Sequence, residues 1–249
     1  MNDEKVIIIK AYAKELKIPT FAKYQELLND AVQNNWDYEE FLYKLITREK
    51  EQRQQNMRKK RIKSAEFPLI KTLDEFDFTQ LKYVKPEVIR HLSGCEYIDK
   101  HENIIMMGNP GTGKTHLAIA LGIMACTKGY KVKFTTAIAL VNQLIEAQQT
   151  YKLNKILKQL QKTDLLIIDD LSYLSFSRPQ AELLFQVISE RNERKSTIIT
   201  SNTEFSKWTD IFVEPNMTAA LIDRLTHHSY ILNMNGESYR LKQHKKRVS

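Results

Sequence analysis

The sequence is poor in several residue types. Seven glycines and six prolines in 249 residues exclude a collagen-like repeat or a Pro/Gly-rich disordered chain. The two cysteines, Cys95 and Cys126, lie far apart with no Cys or His at metal-ligand spacing. They are expected to be reduced core residues, which excludes a disulfide scaffold. Apolar runs fall well short of the ~18–20 residues that span a bilayer, so no membrane association is expected. The stretch Met1-Asn2-Asp3-Glu4 is not a basic segment leading into an apolar one, so a secretory signal is not expected and a cytoplasmic location is. Acid is also scarce: 30 Asp and Glu against 38 Lys and Arg leave a net charge of +8.

The surplus positive charge is concentrated. Residues 44–63 hold nine basic residues and two acidic ones, and residues 240–249 hold five basic residues and no acid. The rest of the chain is therefore net acidic. Two concentrated basic segments suit a polyanion, nucleic acid foremost; a solvated helix face with a frayed tail is the plainer reading.

Residues 1–63 read as helical. Val6, Ile9, Tyr12 and Leu16 fall on one stripe, and Phe21, Tyr24, Leu27, Leu28 and Val32 on a second. Asp37, with Glu40 three residues on, opens a third helix whose apolar face is Phe41, Leu42, Leu45 and Ile46. After Ile46 the apolar pattern stops and the basic run begins, so that end is expected to project into solvent or onto a partner. Residues 64–80 read as an extended linker, and a short helix follows Pro86. From residue 103 strands (104–107, 131–135, 165–168, 197–200) alternate with helices (114–127, 137–150, 151–162, 179–194), which predicts a parallel sheet covered on both faces. The expected division is a small helical domain at 1–63 and an α/β domain at 64–249.

The strongest chemical motif is Gly108-Asn109-Pro110-Gly111-Thr112-Gly113-Lys114-Thr115. It matches G-x-x-x-x-G-K-[ST] at every fixed position and lies between a predicted strand and a predicted helix, as a P-loop must. Glycines let successive backbone N–H groups turn toward phosphate oxygens, and the helix N-terminus adds positive potential. Lys114 is expected to reach the β- and γ-phosphates of ATP, and Thr115 to ligate Mg²⁺. Leu165-Leu166-Ile167-Ile168-Asp169-Asp170 supplies the acid-ended strand such a site needs. Asp169 is the expected Mg²⁺ holder and Asp170 the candidate base for the attacking water. Thr197-Ile198-Ile199-Thr200-Ser201-Asn202 is a second strand with a polar end. In a parallel sheet it faces the same crevice, which makes Asn202 a candidate for positioning the water, though alone it reads equally as a turn residue.

These motifs, with Leu221-Ile222-Asp223-Arg224-Leu225, recur in this order in AAA+ ATPases of the DnaA/DnaC group, which the chain resembles. Longer stretches resemble IstB proteins, the ATPase helpers of insertion-sequence transposases. Among them are Gly113-Lys114-Thr115-His116-Leu117-Ala118, Asp223-Arg224-Leu225-Thr226-His227-His228 and Gly236-Glu237-Ser238-Tyr239-Arg240-Leu241. The resemblance covers about residues 64–242 closely. It implies an AAA+ fold behind an all-helical N-terminal domain, with ATP held by residues 108–116, His116 included. It further implies Walker B roles for Asp169 and Asp170, a sensor role for Asn202, and an arginine finger at Arg224 that acts on ATP of a neighbouring copy in a homo-oligomer. Internal ion pairing is the alternative for Arg224. Phe76 or Phe78 is expected near the base.

Two departures stand out. Asp170 occupies a position where many such proteins carry Glu, and its shorter reach predicts slow hydrolysis with ATP binding intact. No lid domain with a second sensor arginine is evident, and Arg240 is the candidate in its place. His227-His228 suggests a metal only weakly, since no third ligand has matching spacing, and the pair reads as structural.

Lys152, Lys155, Lys158 and Lys162 recur every three or four residues, opposite Leu153, Ile156, Leu157 and Leu160. Proteins of the DnaA/DnaC group place a nucleic-acid-lining insertion here, so this stripe is the first candidate DNA surface. Arg53, Arg58, Lys59, Lys60 and Arg61 are the second, with the transposase an equal claimant. The leading expectation is an ATP-dependent helper that oligomerises on double-stranded DNA and delivers it to a transposase, with slow hydrolysis controlling assembly. The alternatives are a DnaC-type helicase loader on single-stranded DNA, a small-metabolite kinase, and a scaffold using ATP only as an assembly ligand.

Overall fold

The structure is a computed structural model. It describes residues 3–172 and 176–239, with the backbone alone at Gln80. The chain divides into two compact units, residues 1–60 and 61–249.

The first unit is helical: α1 (Asp3–Glu15), α2 (Tyr24–Gln33) and α3 (Tyr38–Ser64). Asp37 opens α3 as expected, its Oδ1 accepting from the Glu40 N–H at 2.7 Å. The predicted stripes bury less than their periodicity implies. Ala13 is the one buried residue of α1, while Tyr12 and Leu16 stand 60% and 65% exposed. Leu27 and Leu45 are buried, but Val32, Leu42 and Ile46 are not. The buried face of α1 runs instead through Ala13, and that of α2 through Leu27 and Ala31. The buried anchor is polar. Glu49, 6% exposed, accepts from the Thr20 N–H (3.1 Å), from the Thr20 hydroxyl and from Arg53 Nε (2.7 Å). Burial alone would raise the Glu49 pKa; the Thr20 and Arg53 hydrogen bonds outweigh it and hold the carboxyl below its ordinary value.

The second unit runs α4 (Pro86–Ser93), α5 (Glu96–Asp99), β1 (Asn103–Met107), α6 (Lys114–Lys128), β2 (Val132–Thr136), α7 (Ala137–Gln149) and α8 (Leu153–Gln161). It continues with β3 (Leu165–Asp169), α9 (Arg178–Arg191), β4 (Ser196–Ser201), α10 (Trp208–Phe212), α11 (Pro215–His227) and β5 (Ser229–Asn233). The sheet is parallel throughout, in the order β2-β3-β4-β1-β5. Successive strand side chains point to opposite faces, and the core divides accordingly. Ile104, Met106, Leu165, Ile167 and Ile198 pack with α6 on one face. Ile105, Leu166, Ile168 and Ile199 pack with α7, α9 and α11 on the other. Continuous apolar strands of this kind require both faces covered.

Arg191 at the end of α9 is 2% exposed and acts as an internal tie. Its guanidinium donates to the carbonyls of Leu160 (2.5 Å), Thr163 (3.0 Å) and Ser196 (2.6 Å) and to Thr197 Oγ1 (3.2 Å). Burial pushes its pKa down to about 10, and the fan of acceptors satisfies the charge that remains.

Candidate nucleotide-binding site

All the strands are parallel, so the ends of β1, β3 and β4 open on one side, and the sequence places polar residues there. The loop after β1 carries Gly111 at φ 80° and Gly113 at φ 94°, in the left-handed region that disfavours any side chain. Gly113 is also crowded: a Cβ there would lie 2.9 Å from the Phe76 ring. The loop leads into α6, whose first residue is Lys114. Lys114 is 6% exposed, and its Nζ donates to the carbonyls of Gly108 (2.6 Å) and Asn109 (2.7 Å). The ammonium is thus folded back over the loop.

Beside it, Thr115 Oγ1 lies 2.9 and 3.1 Å from the two carboxylate oxygens of Asp169 at the end of β3. The Thr200 hydroxyl joins the group from β4. It donates to Asp169 Oδ1 at 2.6 Å and accepts from the Asp170 N–H at 2.8 Å. Burial raises the Asp169 carboxyl above its ordinary pKa. The Thr200 and Thr115 hydrogen bonds oppose the shift, and the Asp170 charge adds to it. Asp170 itself turns outward at φ 60° and is exposed. Its Oδ1 accepts from Asn202 Nδ2 (3.0 Å) and Ser172 Oγ (3.1 Å). The structure therefore brings Lys114, Thr115, Asp169, Asp170 and Asn202 to one cleft of about 530 Å³.

Two walls of this cleft carry residues that the motifs do not anticipate. One is the stretch 69–77, which reads as a linker in the sequence apart from the expectation that Phe76 or Phe78 lies near the base. Leu69, Lys71, Glu75, Phe76 and Asp77 border the cleft. Phe76 packs edge-on against His116 (5.2 Å) and against Phe78 (5.2 Å), so of the two phenylalanines Phe76 faces the cleft. His116 Nε2 meets the Thr72 carbonyl at 2.9 Å, which ties α6 to that wall. The other wall is the strap after β5. Met234 N–H donates to Met107 O at 2.6 Å, Asn109 N–H to Asn235 Oδ1 at 3.1 Å, and Tyr239 N–H to Gly111 O at 3.0 Å. Asn235 and Gly236 are turn-forming residues, and such a signal says nothing about what the turn lies against. Arg240, the candidate substitute for a second sensor, lies outside the described residues, as does the rest of the basic tail.

Arg224 is not in the cleft. It projects from α11, half-buried, with Cζ 4.8 Å above the Phe185 ring and Nη1 donating to Ser189 Oγ at 3.0 Å. Among the described residues no carboxylate lies within ion-pair distance of it. His227 and His228 are exposed, and the fold brings Glu193 to them, with one ligand atom from each of the three within 4.8 Å of the others. Their expected structural role finds no burial to support it.

The α8 stripe forms as drawn. Leu157 and Leu160 are buried, and Lys152, Lys155, Lys158 and Lys162 are exposed without carboxylate partners among the described residues. The helix is shorter than expected, so Lys152 and Lys162 sit at its caps. In α3, Arg58, Lys59 and Lys60 are exposed and Arg61 is partly covered. Arg53 differs: it is engaged with Glu49, and its Nη2 donates to the Lys17 carbonyl at 2.6 Å. Its role in holding this unit together weakens its standing as a free DNA contact.

This strand order, with a P-loop after β1, an acid at the end of β3 and a polar end on β4, defines a P-loop ATP-binding protein of the AAA+ class. The solved structures agree. The chain matches the DnaC helicase loader at a TM-score of 0.52 and 26% identity, over 59% of this chain and 86% of that one. It matches AMPPCP-bound DnaA from Aquifex aeolicus at a TM-score of 0.58 and 22% identity, over 74% of this chain and 55% of that one, a likeness of fold. A family model described as IstB-like ATP binding protein matches residues 11–247, and the chain belongs to that family. It is 40% identical to a protein named for ATP binding in insertion sequence IS21 of Pseudomonas aeruginosa, over 89% of this chain and 84% of that protein. It is 42% identical to the corresponding IS5376 protein of Geobacillus stearothermophilus, over 94% of each.

Proposed function

We propose that this insertion-sequence ATP-binding protein hydrolyses ATP, assembles as a homo-oligomer on double-stranded DNA and presents that DNA to a partner transposase. The observation that carries the ATPase reading is the contact between Thr115 and Asp169, with Lys114 beside it. A hydroxyl and a carboxylate held 2.9 Å apart at a strand end form a hard-oxygen donor pair of the kind Mg²⁺ takes. Thr115 and Asp169 would hold the ion, directly or through water, and it would supply charge neutralisation at the phosphate oxygens. Lys114 exchanges the carbonyls of Gly108 and Asn109 for the β- and γ-phosphates. Asp170 accepts the proton of the attacking water, and Asn202, already bonded to Asp170, orients that water.

Asp170 is the shorter acid and has two hydrogen-bond donors on one oxygen. Slow turnover follows from that arrangement. Arg224, outside the cleft of its own chain and without an acidic partner among the described residues, would serve a neighbouring copy, and hydrolysis would then depend on assembly. The four lysines of α8 contact the phosphate backbone without reading sequence.

The test is binding of duplex and single-stranded DNA of equal length, with and without a non-hydrolysable ATP analogue. Cooperative, analogue-dependent binding to duplex that Lys114→Ala abolishes is the expected result. A preference for single strands would replace this reading with that of a helicase loader.

A further inference from the structure

The first unit contains a groove of about 860 Å³ between the C-terminal end of α1, the turn that follows it and the middle of α3. Its rim carries Lys10, Lys14, Lys17 and Lys23, all exposed. Among the described residues none of these four lysines has a carboxylate partner. The one acid in the groove wall is Glu49, and it is already committed to Thr20 and Arg53.

A buried network builds this groove. Glu49 holds the Thr20 turn through both its N–H and its hydroxyl. Arg53, fixed by the same carboxylate, reaches the Lys17 carbonyl with its other end. These bonds tie the end of α1 to α3 and array the lysines along one side. Lys10 and Lys14 lie four residues apart on α1 and so share a face, and Lys17 follows in the turn after the helix, at φ 56°.

We infer that this groove is a third phosphate-backbone site for duplex DNA, separate from the lysine face of α8 and from the Arg58–Arg61 cluster. It rests on the DNA-binding reading above. Two features favour phosphate over an acidic protein segment. Apart from Arg53, which is committed to Glu49 and the Lys17 carbonyl, the groove's cations are all lysine, a compact point charge that suits a phosphodiester and lacks the planar fork that pairs with carboxylates. The residues between them (Ala13, Pro19 and Ala22) are too small to anchor an amphipathic helix. The site also explains a local excess of charge: residues 5–23 carry five lysines against Glu15 alone, within a remainder of the chain that is net acidic.

The experiment measures binding of the full chain to a fluorescent 30-base-pair duplex across a salt series, with the ATP analogue present. The test variant is Lys10→Gln/Lys14→Gln/Lys17→Gln, and Lys155→Gln/Lys158→Gln is the comparison. The expected result for the triple variant is affinity lower by at least tenfold and a salt slope shallower by about 2–3, since each phosphate that is no longer neutralised removes about 0.9 from the slope. Analogue binding should be unchanged, and an unchanged helical circular dichroism spectrum shows that the first unit is folded. Unchanged affinity and slope would overturn the groove. If the α8 variant still weakens binding, DNA binding itself stands. If neither wild type nor variant binds duplex at low salt, the DNA reading falls and the groove with it. Loss of transposase binding with DNA affinity intact would make this a protein-docking groove and likewise overturn the proposal.

Discussion

Thr200 shows how much one hydroxyl can organise. It donates to Asp169 and accepts from the Asp170 N–H, so it fixes both acids relative to the P-loop. Thr200→Val keeps the shape and removes both bonds. Hydrolysis is expected to fall at least tenfold while nucleotide affinity changes less than threefold, read from a steady-state assay beside equilibrium titration. Lys114→Ala should do the opposite and abolish measurable nucleotide binding, because no other cation reaches the phosphate position from within the loop. The two thiols give a pH signature. Burial pushes Cys95 and Cys126 from 9.0 up to about 11. A folded pKa above the unfolded one gives stability that is full below about pH 9 and is lost as pH rises through about 11. Denaturation midpoints should drop between pH 8 and pH 10.5, and drop less in Cys95→Ala/Cys126→Ala.

At the scale of elements, the alternation of strands and helices is legible in the sequence because buried parallel strands are short apolar runs bounded by turn residues. The P-loop and the Asp169-Asp170 strand end are legible for the same reason, since motif and context lie adjacent in sequence. Meetings of distant segments are not. Nothing near residue 235 signals that Asn235 will meet Asn109, and nothing near residue 193 signals Glu193 beside His227 and His228. The apolar periodicity of α1 correctly indicates a helix. Periodicity does not tell whether a stripe finds a partner, and Tyr12 and Leu16 find none within their unit.

The strap after β5 is the element whose function is most open to test. Asn235→Ala removes the acceptor for the Asn109 N–H, and the loop should lose preorganisation. The expected result is roughly 3–10-fold weaker nucleotide binding, about 0.7–1.4 kcal/mol, in line with one lost hydrogen bond. Arg191→Ala should cost more, about 2–4 kcal/mol of stability by denaturant titration, since it removes a buried donor shared by three carbonyls and the Thr197 hydroxyl.

For the whole molecule, the decisive property is whether one copy completes another. Arg224 sits away from its own cleft, so Arg224→Ala should bind ATP normally and hydrolyse it poorly. Lys114→Ala should fail at binding. Mixed together, the two inactive variants should regain part of the activity, because assemblies then contain sites with an intact cleft on one chain and an intact arginine on the next. Absence of complementation at concentrations where the wild type is active would place the arginine outside the reaction.

The helix that displays the lysines, α8, is followed at once by β3, and the last residue of that five-residue strand is Asp169. Arg191 rivets the junction by gripping the Leu160 and Thr163 carbonyls. Lys162 at the end of α8 and the Asp169 carboxylate therefore lie toward opposite ends of β3, which is held between β2 and β4 and is ~16 Å long at about 3.3 Å per residue. A polyanion held at Lys162 would thus sit at the entry to the strand whose exit holds the carboxylate beside the Thr115 hydroxyl.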